Sequence, residues 1–185
     1  MFCTAGVAVP IEVSASDAES EVTSVAADVN GTNVPLSYTA GNNVIATGSY
    51  TAGGIGVYTV NASATSAGGT GTASEVSFLV KYNTLWLPPL ALGKTSKGGS
   101  TIPIKLTARD CEGGFVHDES VKIAVYEGSV EKFVAVFGEG SDFVRIDDLD
   151  GHYITNFQTA AGQHTYTVKV YFNDVLHASL NFSVR

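Results

Sequence analysis

The most chemically varied stretch of the chain is GGSTIPIKLTARDCEGGFVHDES, residues 98–120. It contains Cys111 and His117, the residue types of a thiol nucleophile and a general base. A catalytic cysteine must form a thiolate, however, and the negative charges of the neighbouring Asp110 and Glu112 oppose that. An aspartate followed shortly by two glycines is typical of a turn. The stretch therefore predicts a strand and a turn rather than a catalytic site.

A second chemically suggestive stretch is DDLDG, in which Asp147, Asp148 and Asp150 precede a glycine. An EF-hand calcium loop needs ligands at its first and twelfth positions as well. Ile146 and Phe157 occupy those positions, which excludes an EF-hand. The three aspartates remain candidates for a looser calcium site, and we expect no other cofactor.

The four histidines are dispersed along the chain, and none forms an H-x-H or H-x-x-x-H pair. This spacing argues against a zinc site. The sequence also lacks the G-x-S-x-G elbow of many serine hydrolases. We therefore predict that the protein is not an enzyme and has no catalytic residues.

The two cysteines, Cys3 and Cys111, are too far apart in sequence for a metal-binding motif. A disulfide between them would require an oxidising compartment and close Cα atoms. In a chain of two domains, Cys3 would open the first domain and Cys111 would lie near the junction, so such a bond requires the domains to fold back. The alternative is a bond from Cys3 to a neighbouring molecule, and the sequence leaves both open.

Composition and charge exclude two classes of partner. The net charge of −8 argues against nucleic acid, which needs a clustered basic surface. No run of 18 apolar residues is present, so we expect no membrane span. Residues 1–80 contain six acids and neither Lys nor Arg, and we interpret this asymmetry as the mark of a surface role.

Alternating apolar and polar residues predict strands throughout the chain. In TIPIKLTARD, Ile104 and Leu106 should face a core while Lys105 faces solvent. Pro103 fits such a strand only where its missing N–H faces a bulge or a sheet edge. Around Asn30-Gly31, two short strands read as a hairpin with a tight turn.

The strongest sign of domain organisation is an internal repeat. GIGVYTVNASATSAGGTGTASEVSFLV ends the first half, and GQHTYTVKVYFNDVLHASLNFSV ends the second. Each contains a glycine, the triplet Y-T-V, an alternating strand, a turn and a final strand. No segment shows helical periodicity over three turns. The pattern predicts an all-β chain of two tandem antiparallel β-sandwiches, residues 1–82 and 83–185.

A connector over residues 81–93 joins these predicted domains. Its Pro88-Pro89 pair favours an extended, semi-rigid conformation. Trp86 and Leu87 are too apolar for a free linker, so we expect them to pack with the prolines at the junction and restrict hinge motion. Equally, Trp86 could belong to the core of the second domain.

The stretch VSFLVKYNTLWLPPLALGKTSKGGSTIPIKLTARDCEGGFV resembles bacterial extracellular proteins with a C-terminal Ig-like domain of the PxKF type. Pro103 and Lys105 match the motif that names this type, and Leu106 replaces its phenylalanine. The resemblance covers about residues 76–185, and residues 9–80 resemble the bacterial Ig-like repeats that often precede such a domain. It implies two Ig-like domains and provides no catalytic residues.

The family resemblance implies a secreted or surface protein that serves as a spacer, adhesion module or assembly segment. The start, MFCTAGVAVP, is not a signal peptide, so we expect either that a signal was removed or that the protein is a virion surface component. Expected partners are other surface proteins, copies of the same chain, or glycans. The two alternatives are a carbohydrate-binding appendage of a secreted enzyme and a subunit of a self-assembling filament or virion surface.

Aromatic side chains are the basis of the carbohydrate alternative, because exposed rings stack on sugars. The candidates also fit the core of a sandwich, where alternating aromatics usually pack. Tyr171 and Phe172 are adjacent, so at least one must face outward in a regular strand. The full candidate set is Trp86, Tyr126, Phe133, Phe137, Tyr153, Phe157, Tyr171 and Phe172.

Overall fold

The protein is described by a computed structural model that covers residues 6–93 and 95–185, together with the backbone of residues 2–3. The chain divides into two compact units, Met1–Lys81 (unit 1) and Tyr82–Arg185 (unit 2). Within the described residues, one 3-10 turn, Leu90–Leu92, is the only helical element, and all other regular structure is β-strand. The predicted all-β class is confirmed.

Unit 1 is built from nine strands in two sheets. One sheet has the order β1-β9-β7-β3-β4 with β8 also paired to β7, and the other has the order β2-β6-β5. The strands are β1 Phe2–Cys3, β2 Ala8–Ser16, β3 Val22–Val29, β4 Thr32–Val34, β5 Leu36–Ser37, β6 Asn43–Thr51, β7 Gly56–Ser66, β8 Gly69–Thr72 and β9 Val76–Lys81.

Unit 2 is built from eight strands in two four-stranded sheets, with orders β10-β11-β15-β14 and β13-β12-β16-β17. The strands are β10 Asn83–Trp86, β11 Thr101–Arg109, β12 Lys122–Glu127, β13 Val130–Val136, β14 Arg145–Asp147, β15 His152–Gln158, β16 His164–Phe172 and β17 Val175–Val184.

The strand order in each unit is that of an immunoglobulin-like sandwich. When β10 to β17 are lettered A, B, C, C′, D, E, F and G, the sheets of unit 2 are A-B-E-D and C′-C-F-G. In unit 1, β2 to β7 and β9 correspond to B, C, C′, D, E, F and G, and give the sheets G-F-C-C′ and B-E-D. Both units are therefore Ig-like β-sandwiches.

The core of unit 2 lies between its two sheets and is rich in aromatic rings. Tyr153 and Phe157 of β15 contact Phe172 and Tyr166 of β16 edge-on, with ring centroids 5.3 and 5.1 Å apart. In β11, Ile104 and Leu106 are fully buried as the alternation predicted. Edge-on packing adds to burial because the positive edge of one ring meets the negative face of another.

The core of unit 1 is made of smaller side chains. Val9 and Ile11 of β2 pack with Val29 of β3, and partly buried rings close the cluster. A second cluster contains Val22, Val25, Val44 and Ala46. Because a smaller side chain removes less apolar area from water, this core depends more on the number of packed residues than on any large one.

Both predicted hairpin signals are confirmed. At Asn30-Gly31, both residues have positive φ (50° and 78°), and Val29 of β3 lies opposite Thr32 of β4. These backbone angles fit a type I′ turn, which suits Asn-Gly because glycine has no Cβ and asparagine tolerates the left-handed region. The strand pairs that end the two units, β7–β9 and β16–β17, are antiparallel, as the internal repeat predicted.

The connector prediction is wrong in its conformation. Asn83–Trp86 is a strand of unit 2, and Trp86 lies opposite Leu106 of β11. Pro88 and Pro89 form a turn with a cis peptide bond between them, not an extended segment. The turn leads into a 3-10 helix whose Leu90 is buried, so the chain bends here to bring that side chain inward.

Candidate functional site

The three candidate aspartates lie on the β14–β15 hairpin of unit 2. Asp147 ends β14 opposite His152, which begins β15, and residues 148–151 form the turn between them. Gly151 has φ +63°, a conformation that side chains with a Cβ rarely adopt, which explains a glycine at this corner. The backbone N–H of Asp150 donates to Asp147 Oδ1 at 3.0 Å and closes the turn.

The hairpin brings a histidine to two of the aspartates. One ligand atom each from Asp147, Asp150 and His152 lies within 4.8 Å of the other two. His152 is 8% exposed, Asp147 is half-buried and Asp150 is exposed. The dispersed histidines argued against a zinc site because none has another histidine nearby in the chain. The sequence signal for this cluster is instead an aspartate and a histidine on either side of a four-residue turn.

Asp148 points to a different partner. Its Oδ1 lies 2.7 Å from Nδ1 of His117, and Glu119 lies 3.6 Å from Nε2 of the same ring. The hydrogen bond that His117 makes to the Asp148 carboxylate raises the pKa of His117 above its ordinary value. His117 is therefore bound to exposed carboxylates.

Cys111 lies in the turn that follows β11. Asp110 Oδ1 accepts hydrogen bonds from the backbone N–H groups of Glu112 and Gly114, at 2.9 and 2.8 Å, which is the turn chemistry that the sequence indicated. Cys111 is disulfide-bonded and is not a thiol. The side chain of Cys3 lies outside the described residues, so the pairing of Cys3 with Cys111 stays a prediction.

The two motif residues, Pro103 and Lys105, lie in β11. Pro103 faces Asn156 of β15, whereas β10 ends opposite Leu106 and leaves the other side of Pro103 without a partner strand in the described part of the chain. The missing N–H is thus accommodated at an open edge, as expected. Lys105 is half-buried opposite Ile154.

The tyrosine of each Y-T-V triplet has a role that the sequence analysis did not identify. Tyr58, near the start of β7, accepts a hydrogen bond from the Gly54 N–H at 3.1 Å and donates to the Gly54 carbonyl at 2.9 Å. Tyr166, near the start of β16, accepts from the Ala160 N–H at 3.1 Å. A tyrosine that bonds backward to the backbone before strand F is the tyrosine corner of immunoglobulin-like domains.

A polar network in unit 2 joins the half-buried Tyr82 and Asp118 to the buried Tyr153. Tyr82 donates its hydroxyl to Asp118 Oδ2 at 2.7 Å, and the Asp118 N–H donates to the hydroxyl of the buried Tyr153 at 2.9 Å. Burial raises the pKa of both tyrosines. Burial also acts to raise the pKa of Asp118, but hydrogen bonds from Ser120 and Tyr82 outweigh it and the net shift is downward. These hydrogen bonds tie Tyr82, the first residue of unit 2, to Asp118, which is bonded in turn to Tyr153.

The candidate aromatics divide between core and surface. Tyr153, Phe157 and Phe172 are buried. Tyr171 faces outward beside the inward Phe172, and Lys122 Nζ lies 5.0 Å from the centre of its ring. Tyr126 is covered in the same way by Lys169, at 4.8 Å. The two outward rings are thus already engaged by cations. The packing of Trp86, Leu87, Pro88 and Pro89 at a junction stays a prediction.

Comparison with known proteins gives structural likeness only. No protein-family model and no curated protein matches the chain. Among solved structures, a chimeric titin Z1Z2-Z1Z2 tandem is 16% identical, with 100% of this chain and 93% of that chain covered and a TM-score of 0.39. The Escherichia coli adhesin FdeC is 14% identical, with 97% and 59% covered and a TM-score of 0.38. Domains 4 and 5 of the S-layer protein SbsC are 15% identical, with 71% and 65% covered and a TM-score of 0.27.

Of the helices in the described residues, none has the length and apolar character to cross a bilayer.

Proposed function

We propose that the chain is a non-catalytic structural module of two Ig-like domains, a spacer on the outside of a cell whose partners are other surface proteins. The observation that carries this proposal is the route of the chain through unit 2. The backbone N–H of Tyr82 donates to His177 Nδ1 at 3.2 Å, beside the beginning of β17. Arg185 follows the far end of β17. The chain thus enters and leaves unit 2 at opposite ends of one strand.

The span between these two points follows from strand geometry. At about 3.4 Å per residue, the part of β17 between His177 and the C-terminus is about 27 Å long. A domain whose two chain ends lie about 27 Å apart is suited to hold apart whatever is attached at each end.

The hydrogen bonds at the far end of β17 suit such a role under tension. Gly98 N–H donates to the Arg185 carbonyl at 2.9 Å, and Arg185 N–H donates to the Ser96 carbonyl at 3.0 Å. Ser96 and Val184 form a parallel bridge. Because the two segments run in the same direction, pulling the ends of unit 2 apart stretches these bonds together rather than one after another. The unit should therefore resist force along its length.

We also propose that the chain belongs to bacterial extracellular proteins and that unit 2 is an Ig-like domain of the PxKF type. Pro103 and Lys105 support it, as does the buried alternation of the strand that carries them. Leu106 in place of phenylalanine is fully buried, which keeps an apolar side chain at that position of the core. An extracellular location would also favour the disulfide of Cys111.

Light scattering at several protein concentrations tests the spacer against its rivals. The proposal predicts the mass of one chain at every concentration, in the presence of a reducing agent. A mass that grows with concentration would show that the chain is a self-assembling subunit and not a spacer. Saturable binding to defined sugars on a glycan array would replace it with a carbohydrate-binding module.

A further inference from the structure

We propose that Asp147, Asp150 and His152 form a binding site for a divalent transition-metal ion of the zinc type. The proposal does not depend on the spacer function. Its first support is geometric, since one oxygen of each carboxylate and one nitrogen of the imidazole converge within 4.8 Å. Donors bound to zinc at about 2.1 Å in a tetrahedron lie about 3.4 Å apart.

The second support is the state of His152. Its side chain is more than nine-tenths buried, with 8% exposure, and a ring nitrogen faces the two carboxylates. In the part of the chain that the structure describes, neither nitrogen of this ring has a hydrogen-bond partner. An imidazole nitrogen without a protein partner can bind a metal ion at the point where the three donors converge.

The donor set decides which ion fits. Calcium takes six to eight oxygen ligands and does not favour imidazole. Imidazole combined with carboxylates suits zinc and related first-row ions. The proposed site therefore differs from the calcium site expected from the sequence, because His152 takes the place of Asp148 in the ligand set.

Charge and access also agree with a cation. The two carboxylates balance a divalent ion, and the net charge of −8 favours its approach. Three protein ligands leave a fourth position open, and the exposure of Asp150 lets water fill it. Bound there, the ion would join the end of β14 to the start of β15 across their turn, and would stabilise the hairpin without a chemical reaction.

Isothermal titration calorimetry of the untagged chain with zinc chloride tests the site. We expect one zinc ion per chain with a dissociation constant in the micromolar range or below, and weaker or no binding of calcium. At zinc concentrations about 100 times the dissociation constant, the melting temperature should rise by roughly 10 °C.

Two variants assign the binding to these residues. Asp150→Asn changes an exposed side chain and should weaken zinc binding at least tenfold while the metal-free protein keeps its melting temperature. Asp148→Asn removes the same charge two residues earlier, from a carboxylate bonded to His117, and should keep the affinity within a few-fold. His152→Asn should abolish binding, and circular dichroism without metal shows whether it folds.

Three results would overturn the proposal. The first is the absence of saturable zinc binding at 100 μM. The second is an equal loss of affinity in Asp150→Asn and Asp148→Asn, which would show attraction by charge alone. The third is tight calcium binding that zinc does not displace.

Discussion

The two tyrosine corners show how single residues hold each domain. Tyr58 and Tyr166 occupy equivalent places, and each hydroxyl bonds to backbone that precedes strand F. The sequence revealed them as a repeated Y-T-V triplet but not as hydrogen bonds, because a bond to a loop four or six residues earlier leaves no pattern in the side chains. The repeated triplet showed that the two tyrosines are equivalent, and the fold showed the hydrogen bonds that explain this equivalence.

Replacing either corner tyrosine with phenylalanine should destabilise its own unit. Tyr166→Phe keeps the ring and leaves the Ala160 N–H without its acceptor, which costs about 1–3 kcal/mol. Tyr58→Phe removes two hydrogen bonds to Gly54 and should cost a similar amount. Chemical denaturation measures both. Tyr50→Phe is the matched control, because its ring lies near Tyr58 but its hydroxyl has no hydrogen bond within the described residues.

Asp118 should be the polar residue on which unit 2 depends most. Its carboxylate accepts from the hydroxyls of Tyr82 and Ser120, at 2.7 and 2.6 Å. Asp118→Ala leaves these donors unpaired in a half-buried place and should lower the free energy of unfolding by about 2 kcal/mol. Urea denaturation of unit 2 checks this. No change in the urea midpoint would show that the network does not stabilise the fold.

Asp17 should make unit 1 sensitive to acid. Its carboxylate accepts hydrogen bonds from Ser66, Ser20 and the Glu19 backbone, and these lower its pKa well below the ordinary value. A lowered pKa favours the folded state above about pH 4, the ordinary aspartate value, and that contribution disappears as pH falls toward the folded pKa. The stability difference between the wild type and Asp17→Asn should therefore be largest near neutral pH and shrink toward pH 2.

Glu19→Gln provides the control for this pH profile. Its side chain is exposed and, in the described structure, has no hydrogen bond. Removing its charge should leave the profile unchanged. A constant difference between Asp17→Asn and the wild type across pH 2–7 would contradict the role of the Asp17 carboxylate.

Strands and turns were predicted correctly from the sequence where neighbouring residues alone determine the local structure. The Asn30-Gly31 hairpin was predictable because a two-residue turn has its own residue preferences. The Pro88-Pro89 segment was predicted wrongly, because the same residues suit an extended linker and a turn, and the burial of Leu90 decided between them. Strict alternation along β11 would place Thr107 on the solvent face beside the buried Leu106, but Thr107 is 4% exposed.

The metal candidate illustrates the same limit. Asp147, Asp148 and Asp150 stand together in the sequence, but cross-strand pairing gives Asp147 a histidine as neighbour and gives Asp148 to His117. Which carboxylates share a side of a turn depends on its backbone conformation. The sequence DDLDG alone does not tell which aspartates lie near His152 and which lies near His117.

Gly48 should be the glycine on which the β2-β6-β5 sheet depends. A Cβ at this position would lie 2.3 Å from the Pro35 carbonyl oxygen and 2.9 Å from Leu36. Gly48→Ala should therefore cost about 1–3 kcal/mol in unit 1, because the backbone must move. Gly71→Ala, in β8 with no atom near its Cβ, should cost much less. Equal thermal stabilities for the two variants would contradict this close approach.

At the scale of the whole molecule, each unit has its own sheets and its own core. Unit 2, Tyr82–Arg185, should fold when expressed alone, with one cooperative transition and an unfolding enthalpy of about 70 kcal/mol. Calorimetry measures this. Gradual melting without a heat-absorption peak would show that the core of unit 2 needs the rest of the chain.

Single-molecule stretching of the chain from its two ends, with the disulfide reduced, tests whether the module is a spacer. Since the chain enters unit 2 at Tyr82 and leaves at Arg185, with parallel hydrogen bonds at the far end of β17, we predict that unit 2 opens in one abrupt step. The step should lengthen the chain by about 340 Å, the extended length of this unit less its folded span. Gradual lengthening at low force, without a step of this size, would contradict the proposal that the module is a spacer built to resist tension.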